Sequence, residues 1–276
     1  MIKRVTTCIS AIILAGTLWS QPATAAESGS FSAKELANKL STFQQDGSSY
    51  IRLRLNVDEP PGTKKTALQI QIQQRRTTTS TDVIYQILWP KERQGESVLL
   101  QKSGTQAPNG IHFVPPATST SLGAQDMKDS LFGSDLAYAD LIENFYAWDS
   151  QNLVGEEMIG KVNCQILESK PGNSQSSIYT SVRSWVDTDR LVPLRVEKFL
   201  NPGKPVRRIE TRLVTKEDNG QHIPANLDVQ DLRKNSITEI EGSRLNTRVN
   251  YEDKDFTLEA LKEIKKPKST DAKPVQ

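Results

Sequence analysis

The stretch Leu131–Leu141, LFGSDLAYADL, holds the nearest approach to a catalytic pair in this chain: the carboxylates of Asp135 and Asp140. Two carboxyl groups can share acid and base work when a cleft holds them and their surroundings separate their pKa values. Spacing in the sequence supplies neither condition. The imidazoles are His112 and His222, each in a strand-like or turn-like segment with no second ligand beside it. The cysteines are Cys8 and Cys164, and no Cys/His set has the spacing that zinc needs. No G-x-S-x-G elbow and no phosphate-cradling P-loop occurs. The sequence therefore names no catalytic residue, metal ligand or cofactor, and points away from an enzyme and toward binding.

The two ends frame what the middle must do. Lys3 and Arg4 precede an apolar run from Val5 to Trp19, and Ala23-Thr24-Ala25 offers a small-residue cleavage site. That order is a secretory signal peptide over residues 1–25, with the periplasm as the expected compartment. Cys8 lies early in that run, before its apolar core rather than just after it, so no lipid anchor is expected. Cleavage leaves Cys164 alone, and a lone thiol forms no internal disulfide. Lys and Arg number 35 against 33 acids, and the excess is Lys3 and Arg4 themselves. A mature chain without net charge lacks the electrostatic footprint of a nucleic-acid binder. Lys262, Lys265, Lys266 and Lys268 lead into a Pro/Lys tail, residues 265–276, expected to be disordered. Residues 26–264 are then one domain, expected as a monomer.

The elements of that domain follow from periodicity. Ser32 and Glu35 have capping-box spacing, with Phe31 and Leu36 placed as a hydrophobic staple. Leu36, Leu40 and Phe43 give a narrow helical stripe. From Tyr50 the period becomes two. Ile51, Leu53, Leu55 and Val57 oppose Arg52, Arg54 and Asn56, and Leu68, Ile70 and Ile72 oppose Gln69, Gln71 and Gln73. Val83, Tyr85, Ile87 and Trp89 continue the series. Such alternation predicts antiparallel strands with one buried and one wet face. Further strands are expected near 96–101, 110–115, 162–169, 178–187, 191–200, 206–215, 223–231 and 236–242. The fold class is mainly β (α+β): a half-open antiparallel β-barrel of about 11 strands, with a few short helices covering its mouth. A short C-terminal helix is expected to carry Leu258, Leu261 and Ile264 on one side.

A curled sheet of this size has an apolar inner face that either packs as core or leaves room for a ligand. An acyl chain of about 16 carbons gains on the order of 10 kcal/mol gross on burial, at roughly 0.8 kcal/mol per CH₂. A lipid carrier can therefore leave little polar motif behind. The candidate lipid-binding face is Ile51, Leu53, Leu55, Leu68, Ile70, Ile72, Tyr85 and Ile87.

LFGSDLAYADL resembles the F-x-G-S-D-[FL]-x-Y-x-D-L signature of the outer-membrane lipoprotein-sorting-like family, within the LolA/LolB/RseB-like superfamily. Flanking segments match in the family's order: WPKERQGESVLL, IHFVPP, VGEEMIGKVNCQILESKP as a strand pair, SWVDTDRLVPLRVEKFLNPGKPVRRIE and DFTLEAL. Together they span roughly Ser49 to Leu261. Ala139 departs from the pattern, where the family usually has Glu, so no role is carried to that position. The resemblance implies a half-open barrel with a hydrophobic cavity for acyl chains. It makes the motif a structural corner at the mouth: Gly133 permits the turn, Ser134 or Asp135 caps a short helix, and Leu136, Tyr138 and Leu141 face inward, beside Phe132. The function it implies is a periplasmic carrier or chaperone for the acyl chains of a lipid or lipoprotein, with an inner-membrane transporter as a further partner. The alternative is an RseB-like sensor module whose partner binding depends on lipid occupancy.

Overall fold

A computed structural model describes residues 31–45, 47–59, 65–77, 79–217 and 220–264. The signal peptide expected over 1–25 and the tail expected over 265–276 lie outside the described residues. Within Phe31–Gln276 the chain begins with α1 (Ala33–Gln45). The capping box forms as the spacing predicts: Ser32 Oγ accepts from the Glu35 N–H at 3.3 Å, and Glu35 Oε2 accepts from the Ser32 N–H at 2.9 Å. Leu36, Ala37 and Leu40 bury the helix's inner stripe.

Among the described residues, thirteen antiparallel strands follow in a single sheet. The first six are β1 (Gly47–Asp58), β2 (Lys65–Arg76), β3 (Ser80–Trp89), β4 (Ser97–Ser103), β5 (Asn109–Val114) and β6 (Thr118–Leu122). The remaining seven are β7 (Ser150–Ile159), β8 (Val162–Lys170), β9 (Ser181–Asp187), β10 (Val192–Phe199), β11 (Arg207–Lys216), β12 (His222–Asp231) and β13 (Ile237–Asn246). Two short helices complete the chain: α2 (Tyr138–Ile142) and α3 (Leu258–Leu261). The sheet order is β6-β5-β4-β3-β2-β1-β13-β12-β11-β10-β9-β8-β7. It therefore consists of two consecutive-hairpin meanders joined where β1 pairs with β13. Its outer strands, β6 and β7, do not pair with each other among the described residues, which leaves the barrel half-open.

The count of 13 exceeds the expected 11 because two strands carry no burial signal. β6 reads TSTSL and exposes four of its five residues, and β7 exposes residues along both faces. With neither face buried, nothing selects apolar residues at every second position. β7 entered the reading only through the family resemblance.

Register explains the inner face. Leu53 pairs with Ile70 and Ile70 with Ile87, while Ile51 pairs with Ile72, Ile72 with Tyr85 and Tyr85 with Val98. These cross-strand rows merge with α1 into one core. The opposite face departs from expectation. Gln71 and Gln73 are buried rather than wet, because the segment after β13 folds back over this side. Leu261 and Phe256 pack there on Ile84, Leu99 and Phe113. α3 thus covers the outer face and not the mouth. The buried amides are satisfied in a chain: Tyr50 OH donates to Gln71 Oε1 at 2.9 Å, Gln71 Nε2 to Gln86 Oε1 at 2.7 Å, and Gln86 Nε2 to Ser97 Oγ at 2.9 Å. A buried amide left unpaired would cost about 1–3 kcal/mol.

Candidate functional site: an apolar face beneath a crossing lid

The chain must travel from β6 to β7, the two opposite edges of the sheet, and it does so across the inner face. Residues 123–149 make that crossing and form a lid over the apolar rows. Leu131, Leu136, Tyr138, Ile142, Phe145 and Trp148 enter the same core as β1, β2 and β3. Of the eight residues named as a lipid-facing set, six belong to this core and Ile51 and Leu53 pack against it. Leu55, Leu68, Ile70, Ile72, Tyr85 and Ile87 are buried, while Ile51 and Leu53 remain partly exposed.

The LFGSDLAYADL motif shapes one end of the lid. Leu131 O accepts from the Ser134 N–H at 2.9 Å, closing a turn whose central residues, Phe132 (φ 53°) and Gly133 (φ 89°), are both left-handed. Glycine takes that conformation freely, whereas Phe132 carries a cost of roughly 1–2 kcal/mol. Contacts hold it there: Arg93 Nη1 donates to Phe132 O at 3.2 Å, and the guanidinium lies 5.9 Å from the ring centroid. Arg93 is itself clamped on Glu96 at 2.8 and 3.0 Å. Burial alone would raise the Glu96 carboxyl, but hydrogen bonds from His112 and Arg93 pull it down to about 2.

Neither Ser134 nor Asp135 caps α2, contrary to expectation. The helix begins after Ala137, whose N–H donates to Asp140 Oδ2 at 2.7 Å. Asp135 instead reaches β13: its Oδ1 accepts from Ser236 Oγ at 2.6 Å, and its Oδ2 from Thr238 Oγ1 at 2.8 Å. The Asp135 N–H returns a bond to Thr238 Oγ1 at 2.8 Å. Leu136 and Tyr138 are buried and Leu141 partly so, all against the core. Ala139 is fully buried.

Asp140 carries the strongest polar anchor. Its carboxylate receives Lys198 Nζ at 2.8 Å, Tyr179 OH at 2.7 Å and Arg207 Nη1 at 2.5 Å. Burial opposes the charge on Asp140, yet the two cations outweigh it and hold the carboxyl below its ordinary value. Lys198 is buried between the rings of Phe145 and Tyr179, 5.2 Å from each centroid. Arg207 continues to Asp231 at 3.2 Å, and Asp231 to Arg233 at 2.7 Å. Asp135 and Asp140 are thus committed to separate structural partners and do not form a catalytic pair. Lys198 and Arg207 were missed by the sequence reading. The available signal was parity, since Lys198 stands two residues after the inward-facing Val196.

The attachment of the lid is asymmetric. Its carboxylate anchors, Asp135 and Asp140, reach β10, β11 and β13, or the Tyr179 segment. Toward β1–β3 the lid contributes apolar contact, with guanidinium bonds from Arg76 to Leu141 O at 3.1 Å and from Arg93 to Phe132 O at its ends.

A family model described as "-like: Uncharacterized protein" matches residues 79–263, well over half of the chain. The chain belongs to that family. Its fold is the LolA-like, lipoprotein-sorting-like fold. A DUF1329 family protein from Desulfovibrio piger superposes with a TM-score of 0.75 at 21% identity, covering 83% of this chain and 97% of its own. A domain described as an outer membrane lipoprotein-sorting protein, from Vibrio parahaemolyticus, gives 0.74 at 16% identity, with 84% and 98% covered. A LolA superfamily protein from Nitrosomonas europaea gives 0.67 at 18% identity, with 84% and 100% covered. No curated protein matches the sequence. The LolA-like fold assigns the half-open sheet to a known architecture. No helix among the described residues is long and apolar enough to cross a membrane.

Proposed function

We propose that this protein is a periplasmic carrier for the acyl chains of a lipid or lipoprotein, taken up between the β1–β3 rows and the lid. The observation that carries this reading is the asymmetry of the lid. One side is fixed to the sheet by buried carboxylates, while Ile51, Leu53, Leu68, Ile70 and Ile87 share an apolar core with Leu131, Leu136 and Ile142 of the lid. An acyl chain can replace apolar contact with apolar contact at little net cost, but it cannot replace a buried ion pair. Opening on the β1–β3 side therefore exposes an acyl-sized surface while the other side acts as hinge. The lipoprotein-sorting description of the Vibrio parahaemolyticus domain, which shares the fold, agrees with this reading. A signal peptide over residues 1–25 would deliver the protein, and an inner-membrane transporter is a natural donor of cargo.

The test is native mass spectrometry of the protein purified from the periplasm, followed by organic extraction. The expected result is one acylated molecule per chain. Leu53→Asp should abolish that occupancy while secretion and circular dichroism stay unchanged, because Leu53 is only partly buried. A folded Leu53→Asp protein that still carries its lipid would overturn the assignment of this face.

A further inference from the structure

A cleft of about 240 Å³ lies where the β2–β3 turn, the end of β4 and the trailing end of the lid meet. Its thirteen lining residues include two cations, Arg76 and Lys102, and no acid. Arg75, Arg93, Arg183, Arg190, Arg207 and Arg233 each hold a carboxylate within 3.2 Å. Arg76 does not. It gives one Nη2 bond to Leu141 O at 3.1 Å, and its Nε is sealed from solvent with no partner among the described residues. Lys102 likewise forms no salt bridge among the described residues. Its charge reaches Glu143, but that carboxyl accepts its hydrogen bond from Ser177 Oγ at 2.6 Å. Arg76 is half-buried, and its sealed Nε has no carboxylate to offset its charge, so such a site favours an incoming anion.

The rest of the cleft defines that anion. The hydroxyls of Thr77 and Ser80 hydrogen-bond each other at 2.9 Å on the turn, which leaves one hydroxyl proton of the pair to donate to an incoming oxygen. A volume of about 240 Å³ falls short of the roughly 300–1,000 Å³ typical of whole-ligand pockets, so the cleft suits a headgroup and not a chain. Ile142 and Trp148 belong both to the cleft wall and to the core beneath the lid, which makes the two spaces neighbours. We propose that Arg76 and Lys102 bind a phosphate group, and that this phosphate is the head of an amphiphile whose chain passes Ile142 and Trp148 under the lid. The second half of this inference rests on the carrier reading; the first half does not.

The test uses calorimetry on the full mature chain with three probes: inorganic phosphate, dihexanoyl phosphatidic acid and dihexanoylglycerol. Phosphatidic acid should bind at least about tenfold more tightly than dihexanoylglycerol at low salt, the gain of one charge-assisted contact. Lys102→Gln should remove that preference without changing the melting temperature, since Lys102 forms no salt bridge among the described residues. Arg76→Gln should weaken phosphatidic acid further, but it also frees Leu141 O, so Lys102→Gln decides the matter. If phosphatidic acid and dihexanoylglycerol bind equally and Lys102→Gln changes nothing, the phosphate site is overturned and the carrier reading stands. If inorganic phosphate binds as tightly as phosphatidic acid, and Lys102→Gln abolishes both, the anion site stands and the passage of a chain under the lid is overturned. If neither phosphate probe binds, the whole inference falls.

Discussion

Replacing Asp140 with Asn should show how firmly the lid is hinged. Asp140→Asn keeps the side-chain shape but removes the charge that faces Lys198 and Arg207. Arg207 retains Asp231, whereas Lys198 loses its only salt bridge among the described residues and remains between two aromatic rings. Removing one partner of a buried pair costs roughly 3–5 kcal/mol, because the other charge stays desolvated. With an m-value of about 3 kcal/mol per molar urea, the midpoint should fall by roughly 1 to 1.7 M. Replacing Lys198 with Met as well should restore much of the loss, since an apolar side chain of similar volume needs no counter-charge. Urea denaturation of the wild type, both single variants and the double variant completes the cycle. A coupling of about 2 kcal/mol or more is expected. Additivity within roughly 0.5 kcal/mol would refute the view that Asp140 and Lys198 act as one anchor.

Three further outcomes follow from the same contacts. Leu68 is fully buried in the core, so Leu68→Ala should lower stability by roughly 2–5 kcal/mol in urea melts, and a loss under about 1 kcal/mol would mean the face is loosely packed. Glu96 sits at about 2 in the folded protein against 4.5 as its ordinary value, so its contribution is present above pH 4.5 and is lost as pH falls toward 2. That contribution is on the order of 3 kcal/mol, and Glu96→Gln should flatten this part of the acid-unfolding curve; an unchanged slope between pH 4.5 and 2 would remove Glu96 from the account. Gly133 has φ 89° with nothing within 4 Å of an added Cβ, so Gly133→Ala should cost backbone strain alone, about 1–2 kcal/mol, read as a lowered melting temperature.

Legibility in the sequence tracked burial. β1, β2 and β3 could be read because one face of each packs against α1 and the lid, which forces apolar residues into every second position. β6 could not be read, since water on both sides imposes no pattern. Gln71 and Gln73 misled for a different reason. Their side looks polar in sequence, yet it is buried because Phe256 and Leu261 return from far along the chain. The motif announced a turn through Gly133, but left-handed geometry at Phe132 has no residue signature. The partnership of Asp140 with Lys198 and Arg207 joins positions 58 and 67 residues apart, and local spacing is blind to such distances.

The joining of two meanders at β1 and β13 also constrains how the chain reaches its final form. Every other strand pair except that one joins neighbours in sequence, so each half can zip up from local hairpins. The central seam, in which Tyr50 meets Asn246 and Asp58 meets Ile237, must wait for segments nearly the whole domain apart to find one another. Closing so large a loop carries an entropic cost before any seam contact repays it, and topologies dominated by such pairings fold slowly. Until the seam closes, β1 and β13 are bare edges in the middle of the future sheet, the kind of surface that recruits other chains. The newly made polypeptide is therefore most vulnerable to aggregation along this seam, and a holding chaperone that shields β1 until β13 arrives would do the most to raise its yield.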